Sequence, residues 1–352
     1  LHQIEISMNN SVTLKDIAKA LNLSISTISK SLNDSYEISI DTKQKVLEYA
    51  QKHHYSPNRL AKGLKEGKSR SIGVVVCSLD NNVIAQMLDG IDTVSSDNSY
   101  QIIIMQSKES EKQEAACIEL LYSGGVDGIL ISPACETVDF SYLRSLQEAG
   151  LPIVLFDRLS DQINTHKVGA DNFQGAYDAT MHLIKSGYKN IAHLNTNTTL
   201  SIATERLNGY KQALKDSNIA YRPELLRSCD YSDTQKLNSD LEEAILYFMN
   251  LSDKPDAIFT ATDQISTRCL TRLNKLGYHI PDDIALIGFT NTDLAEALSP
   301  ALSTVHQPAF EMGQLAAKKL ISLIERKDQD PEYETVMLET YIKARASTQS
   351  KH

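Results

Sequence analysis

Four closely spaced side chains near the start of the chain have the chemistry to read a base pair. Ile25, Ser26, Ser29 and Lys30 fall on the early exposed positions of a short helical run over 25–32. A serine hydroxyl bonds several base edges, a lysine donates to guanine, and an aliphatic side chain covers the thymine methyl. Thr27, between them, suits a phosphate. Covalent chemistry has no comparable seat. The chain shows no nucleophile elbow, phosphate loop or metal-spaced histidine pair. Ser123-Gly124-Gly125-Val126-Asp127-Gly128 lacks the Lys-Ser/Thr ending of a phosphate loop and reads as a turn into a strand. The cysteines (Cys77, Cys117, Cys135, Cys229 and Cys269) are widely spaced, without a CxxC pair. That argues for reduced thiols in a cytoplasm rather than a disulfide framework or zinc site. The expectation is no catalysis, no cofactor and no metal.

The elements that must hold the reader are legible around it. Thr13 can cap a helix over 14–21, with Asp16 three residues on as its capping-box partner. Leu14, Ile17, Ala18 and Leu21 share one face, and Ala18 is small where a second helix crosses closely. Asn22-Leu23-Ser24 makes the turn: Asn tolerates the left-handed conformation, and Ser24 caps the helix of 25–32. A third helix over 41–53 presents Val46, Leu47 and Ala50 to the other two. Any three-helix bundle shares part of this pattern, so the pattern alone leaves a bland packing domain open.

The charge is unevenly placed. The 352 residues carry a net −10, with 41% apolar and 23% charged residues, which is ordinary globular usage. Residues 1–70 hold 11 Lys/Arg against 7 Asp/Glu, and the rest 24 against 38. A basic head on an acidic body implies that the head alone meets a polyanion. Residues 1–10 read as a poorly ordered lead, with no secretory pattern and no transmembrane run anywhere. From residue 71 the texture changes. Apolar strands over 71–77, 100–105, 128–132, 152–156, 190–194, 256–260 and 284–289 alternate with helical stretches over 83–96, 109–123, 173–186, 204–217, 234–250 and 263–276. Such alternation predicts parallel sheets with helices on both faces, and the strand count predicts two doubly wound subdomains.

The run 12–33, followed by Ile38-Ser39, Thr42, Val46-Leu47, Ala50, Tyr55-Ser56-Pro57-Asn58, Ala61 and Leu64, resembles the lactose-repressor (LacI/GalR) family of bacterial transcription regulators. Ile72-Gly73-Val74-Val75-Val76 matches the family's first core strand, and the likeness continues to the C-terminal end. The resemblance implies an all-α helix-turn-helix head over 1–55, a hinge linker over 56–70, an effector-binding and dimerisation core over 71–347, and a tail over 348–352. It implies that Ile25, Ser26 and Lys30 read bases. The wider DNA-binding set is Thr13, Ser24, Thr27, Ser29, Asn33 and Tyr55 in the head, with Asn58, Arg59, Ala61, Leu64 and Lys65 in the linker. Leu64 matches the leucine that wedges into the minor groove. Asn22 stands where Gly is usual and Lys30 where Arg is usual, so the base preference does not transfer. Gly63 weakens a hinge helix of about eight residues, which would form only with support from DNA and a paired subunit. Without the resemblance, a plain tether explains this segment equally well.

The core of the family is similar to periplasmic sugar-binding proteins, two lobes with ligand between them. The first lobe would be 71–168 plus 305–334, and the second 169–304 plus 335–347. The resemblance implies effector contacts from Asn82, Asp157, Arg158, Arg206, Thr262, Asp263, Thr290, Asn291 and Gln307. Arg206 belongs to an Arg-x-x-Gly-aromatic element (Arg206 to Tyr210) and carries the planar fork suited to paired acceptors. Thr290 replaces a frequent sugar-binding Asp, and Asp80-Asn81-Asn82-Val83-Ile84 lacks the Pro and aromatics usual there. Structural roles compete: Asp171-Asn172 and Asp263 stand where helix caps would, Arg206 could pair with a buried carboxylate, and Tyr210 suits a core. The reading is a ligand-responsive regulator, most simply a repressor of carbohydrate genes. It is cytoplasmic, with operator DNA, a sugar-like effector and a second copy of itself as partners, higher assembly open, and no membrane. A sugar-binding transport or sensor protein is the alternative; it would have a secretion signal and no DNA head.

Overall fold

In the computed structural model, residues 12–32, 34–53, 55, 68–196, 200–230, 234–326 and 332–349 are described. The chain divides into two compact units, Leu1–Ser69 and Arg70–His352. The first holds α1 (Leu14–Leu21), α2 (Ile25–Leu32) and α3 (Ile40–Lys52) around Ile17, Ala18, Ile28, Val46 and Ala50. The Thr13–Asp16 capping box forms, and Asn22 exits α1 in the left-handed region at φ 53°. Leu47 departs from the expectation. It is exposed, because it lies about 100° around α3 from Val46, whereas Ala50 returns to the same face.

The second unit is built from two sheets. β1 (Ser71–Val76), β2 (Gln101–Gln106), β3 (Gly128–Ile131), β4 (Ile153–Phe156) and β5 (His166–Ala170) alternate with α4 (Asn82–Asp97), α5 (Glu111–Ser123) and α6 (Ser141–Glu148). The chain then crosses to α7 (Asn172–Lys185), β6 (Ile191–Thr196), α8 (Ser201–Asp216), β7 (Leu226–Cys229), α9 (Thr234–Met249), β8 (Ala257–Thr260), α10 (Asp263–Lys275), β9 (Ala285–Phe289) and β10 (Ser303–His306). It returns through α11 (Ala309–Glu325) to β11 (Thr335–Leu338), and crosses once more to β12 (Tyr341–Lys343). The first sheet runs β11-β5-β4-β3-β1-β2 and the second β12-β10-β9-β8-β6-β7. All pairings are parallel except β10 with β12.

This corrects the lobe limits read from the sequence. β5 runs on through Ala170, and β10 stays in the second sheet to His306. Residues 335–338, expected in lobe two, pair with β5 in lobe one, Thr335 opposite Lys167. β11 and β12 are short, half-exposed edge strands with no helix between them, so nothing in the local pattern marks the crossing. Strands β5, β7, β10, β11 and β12 are not among those the sequence predicts. Three of those strands (β7, β11 and β12) lie at sheet edges, where long apolar runs are not needed.

Backbone contact between helices sets the packing of lobe one. A Cβ at Gly90 of α4 would lie 2.1 Å from the Phe310 carbonyl oxygen, and one at Gly313 of α11 would lie 2.0 Å from that of Met87. In lobe two, His193 on β6 is fully buried, its ring 4.7 Å from Phe259 and 5.1 Å from Tyr210. Nδ1 donates to the Phe259 carbonyl at 3.0 Å, while Nε2 has no partner among the described residues. Burial lowers His193 to about 4. Below its ordinary value of 6.5 the unfolded chain takes up a proton that the folded chain refuses. Stability therefore falls as pH drops from about 6.5 to about 4, by up to about 3 kcal/mol. Urea unfolding at pH 7 and pH 4.5 measures this loss. His193→Phe should flatten it, and an unchanged slope would assign the loss to other groups.

Candidate functional site

Two regions carry the chemistry, one in each unit. In the head, Ser24 accepts a bond from the Thr27 amide at 3.0 Å and its hydroxyl meets that of Thr27 at 2.8 Å, fixing the start of α2. Ile28 turns into the core, while Ile25 in the first turn and Ser26 are exposed and Ser29 and Lys30 are half-exposed. An 8-residue helix with a buried face and an exposed first turn can lie in a major groove. Lys30 is ion-paired with Glu37, so it must exchange that carboxylate for a base or phosphate. Thr13 is exposed but committed to its capping box, and Tyr55 packs against the head core. Asn33, Asn58, Arg59, Ala61, Leu64 and Lys65 lie outside the described residues.

The second region is a cleft of about 290 Å³ beyond the carboxyl ends of the strands, lined from both lobes. Lobe one contributes Asp157 and Arg158, just past β4. Asp157 sits in the left-handed region at φ 62°, which turns the chain sharply, and its Oδ2 accepts from Ser132 at 3.2 Å. Burial pushes its carboxyl up, and Arg158 and Arg206 oppose that. Arg158 forks onto Glu109 with contacts of 2.6 and 2.8 Å and also donates to the Pro133 carbonyl at 3.1 Å. Burial acts to raise Glu109, but the Arg158 guanidinium prevails and holds it below its ordinary value.

Lobe two contributes Arg206. The motif glycine explains its position: a Cβ at Gly209 would lie 2.2 Å from the Phe173 carbonyl oxygen, so α8 presses directly on α7. One turn earlier, Arg206 then reaches Asn172 at the start of α7, with Nε at 3.0 Å and Nη2 at 2.6 Å from Oδ1. Nη1 donates to the Ala261 carbonyl, Nη2 to Gln307 at 3.3 Å, and the guanidinium lies 3.7 Å from the Phe289 ring centroid. Its hydrogen-bond partners are thus neutral groups and not a carboxylate. Burial lowers it to about 10, which leaves it charged at neutral pH. Tyr210 is core, its hydroxyl donating to the Ile191 carbonyl at 2.8 Å.

Asp157, Arg158, Arg206, Thr262, Asp263 and Gln307 line the cleft together; Asn82, Thr290 and Asn291 do not. Asn82 and Asn291 join the lobes beside it instead, and Thr290 bonds within lobe two. Asn82 donates to Asp263 at 3.2 Å, Asn291 donates to Gln86 at 2.7 Å, and Thr290 donates to Asp263. Thr262 caps α10 and Asp171 caps α7, so Asp263 is not a cap. Burial pushes Asp263 up, against the bonds from Thr290 and Asn82. The sequence reading missed Lys108, Glu109 and Asn195, which also line the cleft. Lys108 and Glu109 adopt consecutive left-handed conformations just past β2, and Asn195 lies in β6 near its end. The rule of looking past strand ends would have found all three.

Comparison with known proteins agrees with both regions. Residues 13–58 match the model of bacterial regulatory proteins of the lacI family, and residues 180–348 match a periplasmic binding protein-like domain. A ribose operon repressor of Haemophilus influenzae is 30% identical over 342 residues, covering 96% of this chain and 99% of that protein. The transcriptional regulator CelR in complex with cellobiose aligns at TM-score 0.70 and 25% identity, covering 96% of this chain and 99% of that one. The lac repressor dimer bound to operator and the anti-inducer ONPF aligns at TM-score 0.82 and 22% identity, over 97% and 100%, a likeness of fold. With its helix-turn-helix head and two-lobed core, the chain belongs to the LacI family of bacterial regulatory proteins, and is a DNA-binding, ligand-responsive transcription regulator and not an enzyme.

Proposed function

We propose that the protein represses genes of carbohydrate utilisation. It binds a near-palindromic operator as a homodimer, under control of a sugar or sugar derivative held in the cleft. The observation that carries this reading is a polar cleft whose charged residues come from two lobes, each built on its own sheet, so that an occupant bears on their relative position. The printed names of the relatives, a ribose operon repressor and a cellobiose complex, favour a carbohydrate. Operator contact falls to Ile25, Ser26, Thr27, Ser29 and Lys30 of α2, and effector contact to Asp157, Arg158, Arg206, Thr262, Asp263 and Gln307. A second copy has a natural seat on β2, an edge strand whose Ile103 and Ile104 are exposed. No helix of the described residues is long and apolar enough to cross a membrane, and work on operator DNA fits a cytoplasmic location.

An effector matters only if it binds the two lobe arrangements differently; a tenfold preference corresponds to about 1.4 kcal/mol. The test is selection of bound fragments from genomic DNA, followed by footprinting with and without a panel of sugars. The expected footprint has two half-sites, and its affinity shifts with at least one sugar. Ser26→Ala with Lys30→Ala should lose selected sites and keep weak, salt-sensitive binding to random DNA. Equal loss on both would remove the reader role from α2.

A further inference from the structure

We infer that the cleft accepts a polyol rich in hydrogen-bond donors and free of negative charge, with Asn195 as one of the acceptors it satisfies. This rests on the effector reading of the cleft and narrows the ligand class.

Most of the guanidinium donors of the cleft are already engaged. All three nitrogens of Arg206 are bonded to Asn172, Ala261 and Gln307, and both Nη atoms of Arg158 are held by Glu109. The two guanidinium groups that would otherwise capture an anion are thus largely committed to protein acceptors. Lys108, the remaining lining cation, is exposed, where water and salt screen it.

The acceptors are not spent. Asn195 is 5% exposed, and its Nδ2 donates to the Ala203 carbonyl at 3.2 Å. That bond sets the amide orientation, because the reverse would face oxygen to oxygen. Its Oδ1 then has no partner among the described residues, an unsatisfied buried acceptor. Across the cleft, Oδ2 of Asp157 accepts from Ser132, and its Oδ1 accepts nothing among the described residues. A ligand hydroxyl or ammonium supplies what both lack. A phosphate or carboxylate brings further acceptors, and it meets four lining carboxylates (Asp80, Glu109, Asp157 and Asp263) against three cations.

The experiment is calorimetric titration of the full chain with matched pairs: ribose and ribose 5-phosphate, glucose and glucose 6-phosphate, glucosamine and glucosamine 6-phosphate. In any pair that binds, the unphosphorylated member should bind at least tenfold more tightly. Asp157→Asn keeps the shape and tolerates the left-handed backbone, and should narrow that gap about tenfold. Asn195→Ala should weaken the bound sugar at least fivefold. Among deoxy analogues of that sugar, one should bind the variant and the parent alike, which a merely structural role would not produce. A phosphorylated member binding as tightly as its partner would overturn the inference while sparing the carbohydrate reading. Failure of every pair to bind would overturn both. Unchanged affinity in Asn195→Ala would remove Asn195 from the site.

Discussion

Replacing Arg206 with alanine is expected to lower effector affinity at least a hundredfold while leaving ligand-free operator affinity within twofold. The side chain has two tasks that alanine cannot perform. It presents a fixed cation in the cleft opposite Asp157, and it holds Asn172, the Ala261 carbonyl and Gln307 in place. Gln307 lies where the chain passes from β10 to α11, so the arginine also braces one of the three connections between the lobes. Each buried acceptor left without a donor costs about 1–3 kcal/mol, so a lower melting temperature should accompany the loss. Arg206→Lys separates the tasks. It retains charge without the fork, and should recover stability more than effector affinity. Calorimetry, thermal unfolding and operator titration on the same preparations check all three. An unchanged operator response to effector would sink the assignment.

Residues 70–352 alone should lose specific operator binding by at least about a thousandfold and keep effector affinity within twofold. Both sheets and the four apolar clusters of the core lie inside this span, and the head has its own core. The cut falls just before Arg70, whose backbone nitrogen donates to Asp127 at 2.7 Å, so this nitrogen stays with the core. Electrophoretic shift on a selected operator and titration of the effector give the two readings. Retained specific binding would remove the helix-turn-helix from its role. Loss of effector binding in a folded fragment would mean that the core does not bind its ligand independently.

Much of this molecule was legible in local pattern. Thr13, Asp16, Asn22 and Ser24 act within a few residues of themselves, as caps and a left-handed exit, so residue type and spacing suffice. The seven strands read from the sequence are mostly interior ones, buried on both faces and therefore continuously apolar. β11 and β12 are short and half-exposed and carry no such signal, and β11 is assigned to the wrong lobe for that reason. The cleft was legible in part. Arg206 and Asp157 stand in motifs, whereas Thr290 and Asn291 stand in the matching positions yet bond Asp263 and Gln86 beside the cleft.

The order of residues along the chain thus prescribes the capped reader helix, the strand–helix alternation and the placing of polar groups beyond strand ends, because each depends on near neighbours. Which of those groups still has a bond to give depends on distant partners. Glu109 reaches Arg158 within lobe one, and Asn172 reaches Arg206 where α8 packs on α7. Hydrogen-bond capacity is consumed in space and not along the chain. The chemistry left in the cleft, and so the kind of ligand it takes, is set at that level.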